Sequence, residues 1–495
     1  MAPRPSRAIA AAAIAGVLGT CLAGLTAQDP AVSAPAGSLA SSATSSRAAP
    51  VAFTAPDGSR FLLVPDASVP HVHWAVATFV DATDEPPGLE GLAYTVARAS
   101  SGGTWHTGSV DALRERQALA DLDLALQEAL QKPGDAAAKA LVVKCTEAAT
   151  ALGDTTAFPR VLAALPVHRP EVVERQPVCI FLLTTLPTTI GDVGRLLVER
   201  REDQALRELP QMWIKDLDRR SSDHASNPAA AVRAEVLALA MPSHPAGRYL
   251  ERPLLTAARR DRAMAVWEST QRPERTVHVL FGGFDAAAAT ATLGAVFTST
   301  RLGKYTAATN PGPRPFQALR RSVVPGALVP MVALAWVLPP IADRFVLEAA
   351  VHWLGGGLDS RIGQDLQRAG RSQARVQCLA PWPSTIDGQS LLLLEVTDPQ
   401  GTDTLSDFVV QACRTAAQQA PAPASLEPVL AAMLRRWSDL TDDPRQLTVE
   451  LAAAAVLWPR QTQLTRMPER IDARAMQTLL AQTFANQPVV VEGRR

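Results

Sequence analysis

Residues 91–104 read GLAYTVARASSGGT. Helical periodicity runs over residues 88–99 and stops at Gly-Gly-Thr, which predicts a short helix closed by a glycine turn. Positions i, i+3 and i+4 of such a helix share one face, and here they are Tyr94, Ala97 and Arg98. Two histidines and a glutamate at this spacing would bind zinc and activate water, so this face lacks the side chains for that chemistry.

The N-terminus has the pattern of a secretory signal peptide. Arg4 and Arg7 precede an uncharged run over residues 8–27, AIAAAAIAGVLGTCLAGLTA, and we expect cleavage after Ala27. A lipoprotein box at 18–21 and an uncleaved anchor are the alternatives, since about 20 apolar residues can span a bilayer. Residues 28–50 then read as a flexible Ala/Ser/Pro/Thr linker. The protein is thus predicted to be exported, periplasmic or secreted, and to meet a membrane only through such an anchor.

Composition describes an ordinary globular protein of more than one domain. The chain has 495 residues, of which 47% are hydrophobic and 19% charged. Basic and acidic residues number 48 each, so there is no electrostatic footprint for nucleic acid. Cysteines 145, 179, 378 and 413 follow the leader and form no CxxC pair, which excludes a zinc ribbon and favours buried free thiols.

Strands and helices alternate in two similar halves. The stretches VPHVHWAVATFV and VPMVALAWVL are alike, and AATNPGPRP, residues 307–315, marks a boundary between them. We therefore expect an α+β fold of two homologous α/β sandwich domains, 51–303 and 321–495, each with its own core, joined by a linker over 304–320. Turn residues Asp57-Gly58 and the strands after them predict a hairpin-like start. A helix pair at about 110–151, broken at 132–135, reads as an insertion on the outside of the first domain.

In several ordered places the chain resembles the pitrilysin/insulinase family of zinc metallopeptidases. That family carries a Gly-Leu-Ala-His-x-x-Glu-His helix followed by Gly-Thr, and Gly91-Leu-Ala and Gly103-Thr stand in register with it. Residues 57–66, DGSRFLLVPD, and 84–91, DEPPGLEG, resemble its opening strands and approach loop. HPAGR at 244–248, RPER at 272–275 and LGGGLDSR at 354–361 resemble later loops. The resemblance implies a clamshell of two domains around a cavity.

The same resemblance implies a degenerate metal site. The family's two histidines and its glutamate correspond to Tyr94, Arg98 and Ala97, and its later carboxylate ligand aligns with Gln211. Asp216 and Glu208 remain alternatives for that ligand. The family's substrate-holding Arg and Tyr in the second half align with Gln367 and Ala374, with Arg368 one residue away.

We expect no zinc or other cofactor, because these positions offer no imidazole and no general base. Arg98 is instead expected to fill the metal position and pair with Glu90 or Asp216, or to be a plain packing residue. The pair His71 and His73 could bind a metal, although solvent-facing histidines on an edge strand are the simpler interpretation.

The resemblance therefore favours a non-catalytic partner subunit of an active HxxEH-containing zinc peptidase, enclosing a peptide chamber with it. Self-dimerisation is the other way to complete a chamber, and peptides are the candidate ligands. A stand-alone binding or structural module of the same fold is a different class of function. Residual peptidase activity at an unorthodox site is a third.

Overall fold

The structure is a computed structural model that describes residues 49–80, 84–86, 88–89, 91–132, 134–175, 177–242, 259–303, 316, 318–341, 343–382, 390–458 and 467–494. The predicted signal peptide and the AATNPGPRP segment lie outside these residues. Within the described part of the chain, no helix combines the length and apolar character needed to cross a bilayer.

The first half forms a six-stranded sheet. Its strands are β1 Val51–Thr54, β2 Arg60–Pro65, β3 Val72–Phe79, β4 His168–Arg175, β5 Val178–Thr185 and β6 Thr276–Gly282, in the order β1-β2-β6-β3-β5-β4. Only the β2–β6 pair is parallel. The hairpin predicted at Asp57-Gly58 is β1–β2, whereas β6 lies between β2 and β3. The interpretation of β3 as an edge strand is wrong, because β6 and β5 flank it.

Helices surround this sheet. They are α1 Leu92–Ala99, α2 Ala112–Gln131, α3 Ala136–Thr150, α4 Ala157–Ala164, α5 Ile190–Glu202, α6 Leu209–Ser226, α7 Pro228–Ala240, α8 Arg260–Thr270 and α9 Ala286–Val296. α6 begins only at Leu209, because Gln204 forms a β-bridge to Thr104 before the helix starts. Sequence patterns missed α4 and the strand β4.

The second half repeats the arrangement with five strands. These are β7 Arg320–Pro325, β8 Met331–Val337, β9 Arg375–Trp382, β10 Leu391–Thr397 and β11 Val489–Arg494, in the order β7-β11-β8-β10-β9. Its helices are α10 Arg344–Gly355, α11 Arg361–Arg368, α12 Leu405–Ala417, α13 Pro423–Asp442, α14 Pro444–Leu457 and α15 Ala473–Phe484. Strands β2, β6, β3, β5 and β4 thus correspond to β7, β11, β8, β10 and β9. The expected pair of similar sheets backed by helices is confirmed.

The two halves exchange one helix each. Leu447, Leu451 and other apolar residues of α14 pack on the first sheet, against residues such as Ala75 and Val279. Reciprocally, Val232, Val236 and Leu237 of α7 pack on the second sheet against Ala333 and Val491. The expectation that each half keeps its own core is wrong for these helices, since each sheet buries one face under a helix from the other half.

The α2–α3 pair projects from the first half as a helical hairpin, with its turn at residues 132–135 as predicted. Two buried ion pairs fasten it. Arg207 Nε donates to Glu115 at 2.5 Å, and Arg260 Nη1 donates to Asp123 at 2.8 Å. Leu113 of this pair is 78% exposed. The hairpin is therefore held by charge at its base and carries apolar side chains outside.

Candidate functional site

The residue before helix α1 is a glycine in the left-handed conformation, which other residues rarely adopt. Gly91 has φ 86°, and the buried carboxylate of Glu85 accepts hydrogen bonds from the amides of Gly91 at 2.6 Å and Ala93 at 2.9 Å. A carboxylate at a helix N-terminus satisfies free amides and offsets the helix dipole. Glu85 therefore sets where α1 starts and how its faces point.

Of the three positions that correspond to the family's metal-site residues, two lie in the core. Tyr94 and Ala97 are each 6% exposed and pack in a cluster that includes Trp213 of α6 and Trp267 of α8. This packing fixes α1 against α6 and α8.

Arg98 joins three elements through ion pairs. Its guanidinium donates to Glu174 on β4 and to Asp216 on α6. Asp216 also accepts a hydrogen bond of 2.5 Å from Thr95, which lies three residues before Arg98 on α1. The Arg98 side chain is 24% exposed and that of Asp216 only 9%. The predicted pairing of Arg98 with Asp216 is confirmed.

A second, fully buried arginine lies behind this site. The Arg200 guanidinium lies 4.1 Å from the Phe181 ring centre and 5.1 Å from that of Trp267, and it donates to Ser100. Burial lowers the pKa of Arg200 to about 10 and raises the pKa of the neighbouring Cys179 thiol to about 12. Cys179 is therefore an inert core thiol. Cysteines 378 and 413 are also free and buried, whereas Cys145 is only half-buried.

These residues do not fit a zinc ion. Zinc needs imidazole, thiolate or carboxylate donors, and the guanidinium of Arg98 has no lone pair to give. It occupies both carboxylates, Glu174 and Asp216, that the site offers. Among the described residues, no three His, Cys, Asp or Glu side chains are grouped closely enough to hold a metal.

The other predicted site positions are scattered. Gln211 is exposed on α6, whereas Asp216 of the same helix contacts Arg98. Glu208 lies beside Gly102, and Glu90 and the 244–248 loop fall outside the described residues. In the second half, Gln367 is exposed on α11, and Ala374 is a core residue at 2% exposure. Arg368 is paired with Asp365 at 2.9 Å.

The two histidines near the start of β3 do not share a site. His71 is exposed, whereas His73 is half-buried with its Nδ1 3.0 Å from Thr184 Oγ1. Burial, and then the nearby Arg445 and His71, lower the pKa of His73 to about 4 against the opposing effect of Asp443. His73 therefore stays neutral beside the first turn of α14.

Sequence reasoning missed Glu174, the second partner of Arg98. β4 has a proline at position 170 and a largely exposed surface, so its strand signal is weak. The two adjacent valines, Val172 and Val173, before Glu174 were an available signal.

The Arg98 ion pairs give a stability prediction. Arg98→Met leaves the buried carboxylate of Asp216 with only the exposed Arg219, at 3.5 Å, as a cation. We therefore expect the free energy of unfolding to fall by about 2 kcal/mol, less than for a fully buried pair. Arg195→Met, at an exposed pair with Asp192, should cost under about 0.5 kcal/mol. Urea unfolding of both variants measures the difference. Equal losses would mean that the Arg98 cluster does not stabilise the fold.

No protein-family model matches this sequence, and no curated protein matches it. Solved structures do match. A protease from Helicobacter pylori superposes with a TM-score of 0.66 at 12% identity, over 90% of this chain and 99% of that one.

Two further structures bear on the site. A peptidase M16 inactive domain from Pseudomonas fluorescens matches with a TM-score of 0.62 at 12% identity, over 90% of this chain and 98% of that one. The first half of the periplasmic protease PqqL from Escherichia coli matches with a TM-score of 0.56 at 13% identity, over 90% and 92%. The chain thus has the two-domain fold of M16-type peptidases.

Proposed function

We propose that this chain is an exported, non-catalytic member of the pitrilysin/insulinase family that serves as the partner subunit of an active zinc peptidase. The observation that carries the proposal is Arg98, whose guanidinium sits between Glu174 and Asp216 on the helix that would bear the metal. A fixed positive charge there competes with any cation and cannot act as a base.

The fold of this chain supports the pairing part of the proposal. One of its neighbours is described as an inactive domain and another as the first half of a periplasmic protease. A chain of this fold without its own chemistry can still form one wall of a chamber, leaving hydrolysis to a second chain with an intact HxxEH helix.

The metal part is tested on purified protein. We expect elemental analysis to find no stoichiometric zinc after purification without chelators, because the site has no imidazole and its carboxylates are already paired. About one zinc per chain, lost on chelation together with peptide cleavage, would contradict the proposal.

The partner part is tested by affinity purification of the tagged chain from its own cells, followed by mass spectrometry. We expect a second chain with an HxxEH helix in near-equal amount, and peptide cleavage that disappears when that chain is removed. Recovery of this chain alone, at a monomer mass, would instead favour a stand-alone binding module.

A further inference from the structure

A small cleft with a charged lining lies between α10, α13 and α14. Helix α10 contributes Arg344, Glu348 and His352, which are spaced four residues apart and so form one stripe. The remaining lining residues are Met433, Arg436, Trp437 and Leu440 of α13, Glu450 of α14, and Met467. Neither the predicted metal site nor the proposed pairing accounts for this group.

The repeat of the fold explains where this cleft lies. α10 follows β8 as α1 follows β3, and α13 packs on α10 as α6 packs on α1. The cleft therefore holds the place in the second half that the Arg98–Asp216 pair holds in the first. In the first half that place is closed by ion pairs, whereas here a volume of about 30 Å³ remains. That volume accepts two or three groups the size of a water molecule, which suits the two oxygens of a carboxylate.

The cleft has a buried cation that lacks a full set of acceptors. Arg344 is 8% exposed, and its Nε has no hydrogen-bond partner within the described part of the chain. Its guanidinium lies 4.5 Å from the Phe345 ring centre, which gives no acceptor. A buried cation without a full set of acceptors is costly, so this arrangement favours an anion beside the Arg344 guanidinium.

The carboxylates near the cleft do not fully meet this need. Glu450 is held by Arg175 at 3.1 Å and lies 3.9 Å from Arg436. Asp343 caps α10 by accepting from the Phe345 amide at 2.8 Å, and it is exposed. Among these acidic groups, Glu348 alone lines the cleft on the same stripe as Arg344.

We propose that this cleft binds the terminal carboxylate of a peptide whose last side chain is apolar, with Arg344 and Arg436 as its donors. Guanidinium groups bind carboxylates through paired hydrogen bonds, and two of them line this cleft. Met433, Trp437, Leu440 and Met467 supply an apolar wall for the adjoining side chain. The proposal depends neither on the loss of catalysis nor on a partner chain.

Glu348 controls the affinity of this site. Burial raises the pKa of Glu348, opposed by Arg344 and Arg436 and reinforced by Glu450 and Asp343. When Glu348 is ionised, Glu348 and Glu450 together balance the charges of Arg344 and Arg436, and when Glu348 is protonated one positive charge is left over. Burial and then Arg436 lower the pKa of His352, which adds a further positive charge only at lower pH. Binding of a carboxylate should therefore tighten as the pH falls.

Calorimetric titration of the full chain tests the proposal with three peptides. They are N-acetyl-Ala-Ala-Leu with a free carboxyl terminus, its C-terminal amide, and N-acetyl-Ala-Glu-Leu amide, at pH 7.5 and 5.5. We expect the free acid to bind at least tenfold tighter than its amide and more tightly at pH 5.5. Equal binding of the acid and its amide would overturn the site, and equal binding of the acid and the glutamate amide would assign it to side-chain carboxylates.

Variants separate the site from general damage. Arg436→Gln, whose parent side chain is 58% exposed, should weaken binding of the free acid at least tenfold, and Arg435→Gln, next to it on the exposed face of α13, should not. Glu348→Gln should tighten binding several-fold at pH 7.5 and reduce its pH dependence. A gain of this kind is not produced by misfolding. If Glu348→Gln binds no better, or the two arginine variants behave alike, the proposal is wrong.

Discussion

Leu451→Ala should lower the free energy of unfolding by about 2–5 kcal/mol, although the residue belongs to the second half and packs on the first sheet. Leu451 is 1% exposed on α14, in one cluster with Ala75, Ile180 and Val279. Removing its buried branch leaves a cavity beneath a sheet that cannot collapse onto it. The loss should therefore fall on the first half.

Hydrogen exchange of the folded protein, read together with urea unfolding, locates the effect. We expect amides of β3, β6 and β5 to lose protection in the variant, because α14 covers the face of the sheet that they form. Leu434→Ala, at a leucine 43% exposed on α13, is the matched control and should cost under about 0.5 kcal/mol. Unchanged protection in the first sheet would mean that α14 does not cover it.

The helix exchange also bears on the two-domain organisation. Because α7 and α14 cross between the halves, separating the sheets would uncover an apolar face on each. The domain boundaries 51–303 and 321–495 therefore remain a prediction. They do not separate the hydrophobic cores, because each sheet packs against a helix from the other half. Two halves that exchange helices in this way are held more stiffly than two separate domains on a linker.

Residue patterns predicted the buried elements well. β3, β5, β6, β8 and β10 are central strands, and their runs of apolar residues are continuous because both faces are covered. The edge strands β4, β7 and β9 were missed, since half-exposed strands have mixed composition. α14 was also missed, and no local pattern could have told which sheet it covers. That choice depends on the crossing of the chain, which is a tertiary property.

The sequence shows that the candidate site has no histidines or glutamate on α1, but it does not show which residues pair with Arg98. Residue identity alone excludes metal ligands at Tyr94, Ala97 and Arg98. The partners of Arg98 come from β4 and α6, whose registers the sequence leaves open. Gln211 and Asp216 are five residues apart on α6, which rotates one away from the site when the other faces it. The cleft at Glu348 was likewise invisible, because three helices distant in sequence form it.

A buried histidine gives the second large effect. His278 on β6 is 3% exposed, stacks on Phe61 at 4.6 Å between ring centres, and meets Phe297 edge-on at 5.0 Å. Trp74 Nε1 donates to its Nδ1 at 3.2 Å, so the neutral ring has its acceptor satisfied. Burial, together with the nearby Arg201, lowers the pKa of His278 to about 3. The folded protein therefore keeps this ring neutral at any ordinary pH.

The pKa of His278 is lower in the folded protein than in the unfolded chain, and this difference sets the sign of the pH effect. An unfolded histidine titrates near pH 6.5, so below that pH the unfolded chain takes up a proton that the folded chain refuses. The free energy of unfolding contributed by His278 is fully present above pH 6.5 and is lost as the pH falls toward 3. The slope is up to about 1.4 kcal/mol per pH unit, or about 2 kcal/mol between pH 6.5 and 5.

Urea unfolding of the protein and of His278→Gln at several pH values isolates this contribution. The variant should be less stable at pH 8 because the ring stacking is lost. Below pH 6.5 its stability should fall less steeply than that of the parent protein, because its unfolding takes up about one proton fewer. His73 has a lowered pKa as well and contributes to the slope in both proteins, so only their difference reports on His278. If His278→Gln and the parent protein lose stability equally between pH 6.5 and 5, then His278 takes up its proton in the folded state, and the core around Trp74 and Phe61 must open to water to allow it.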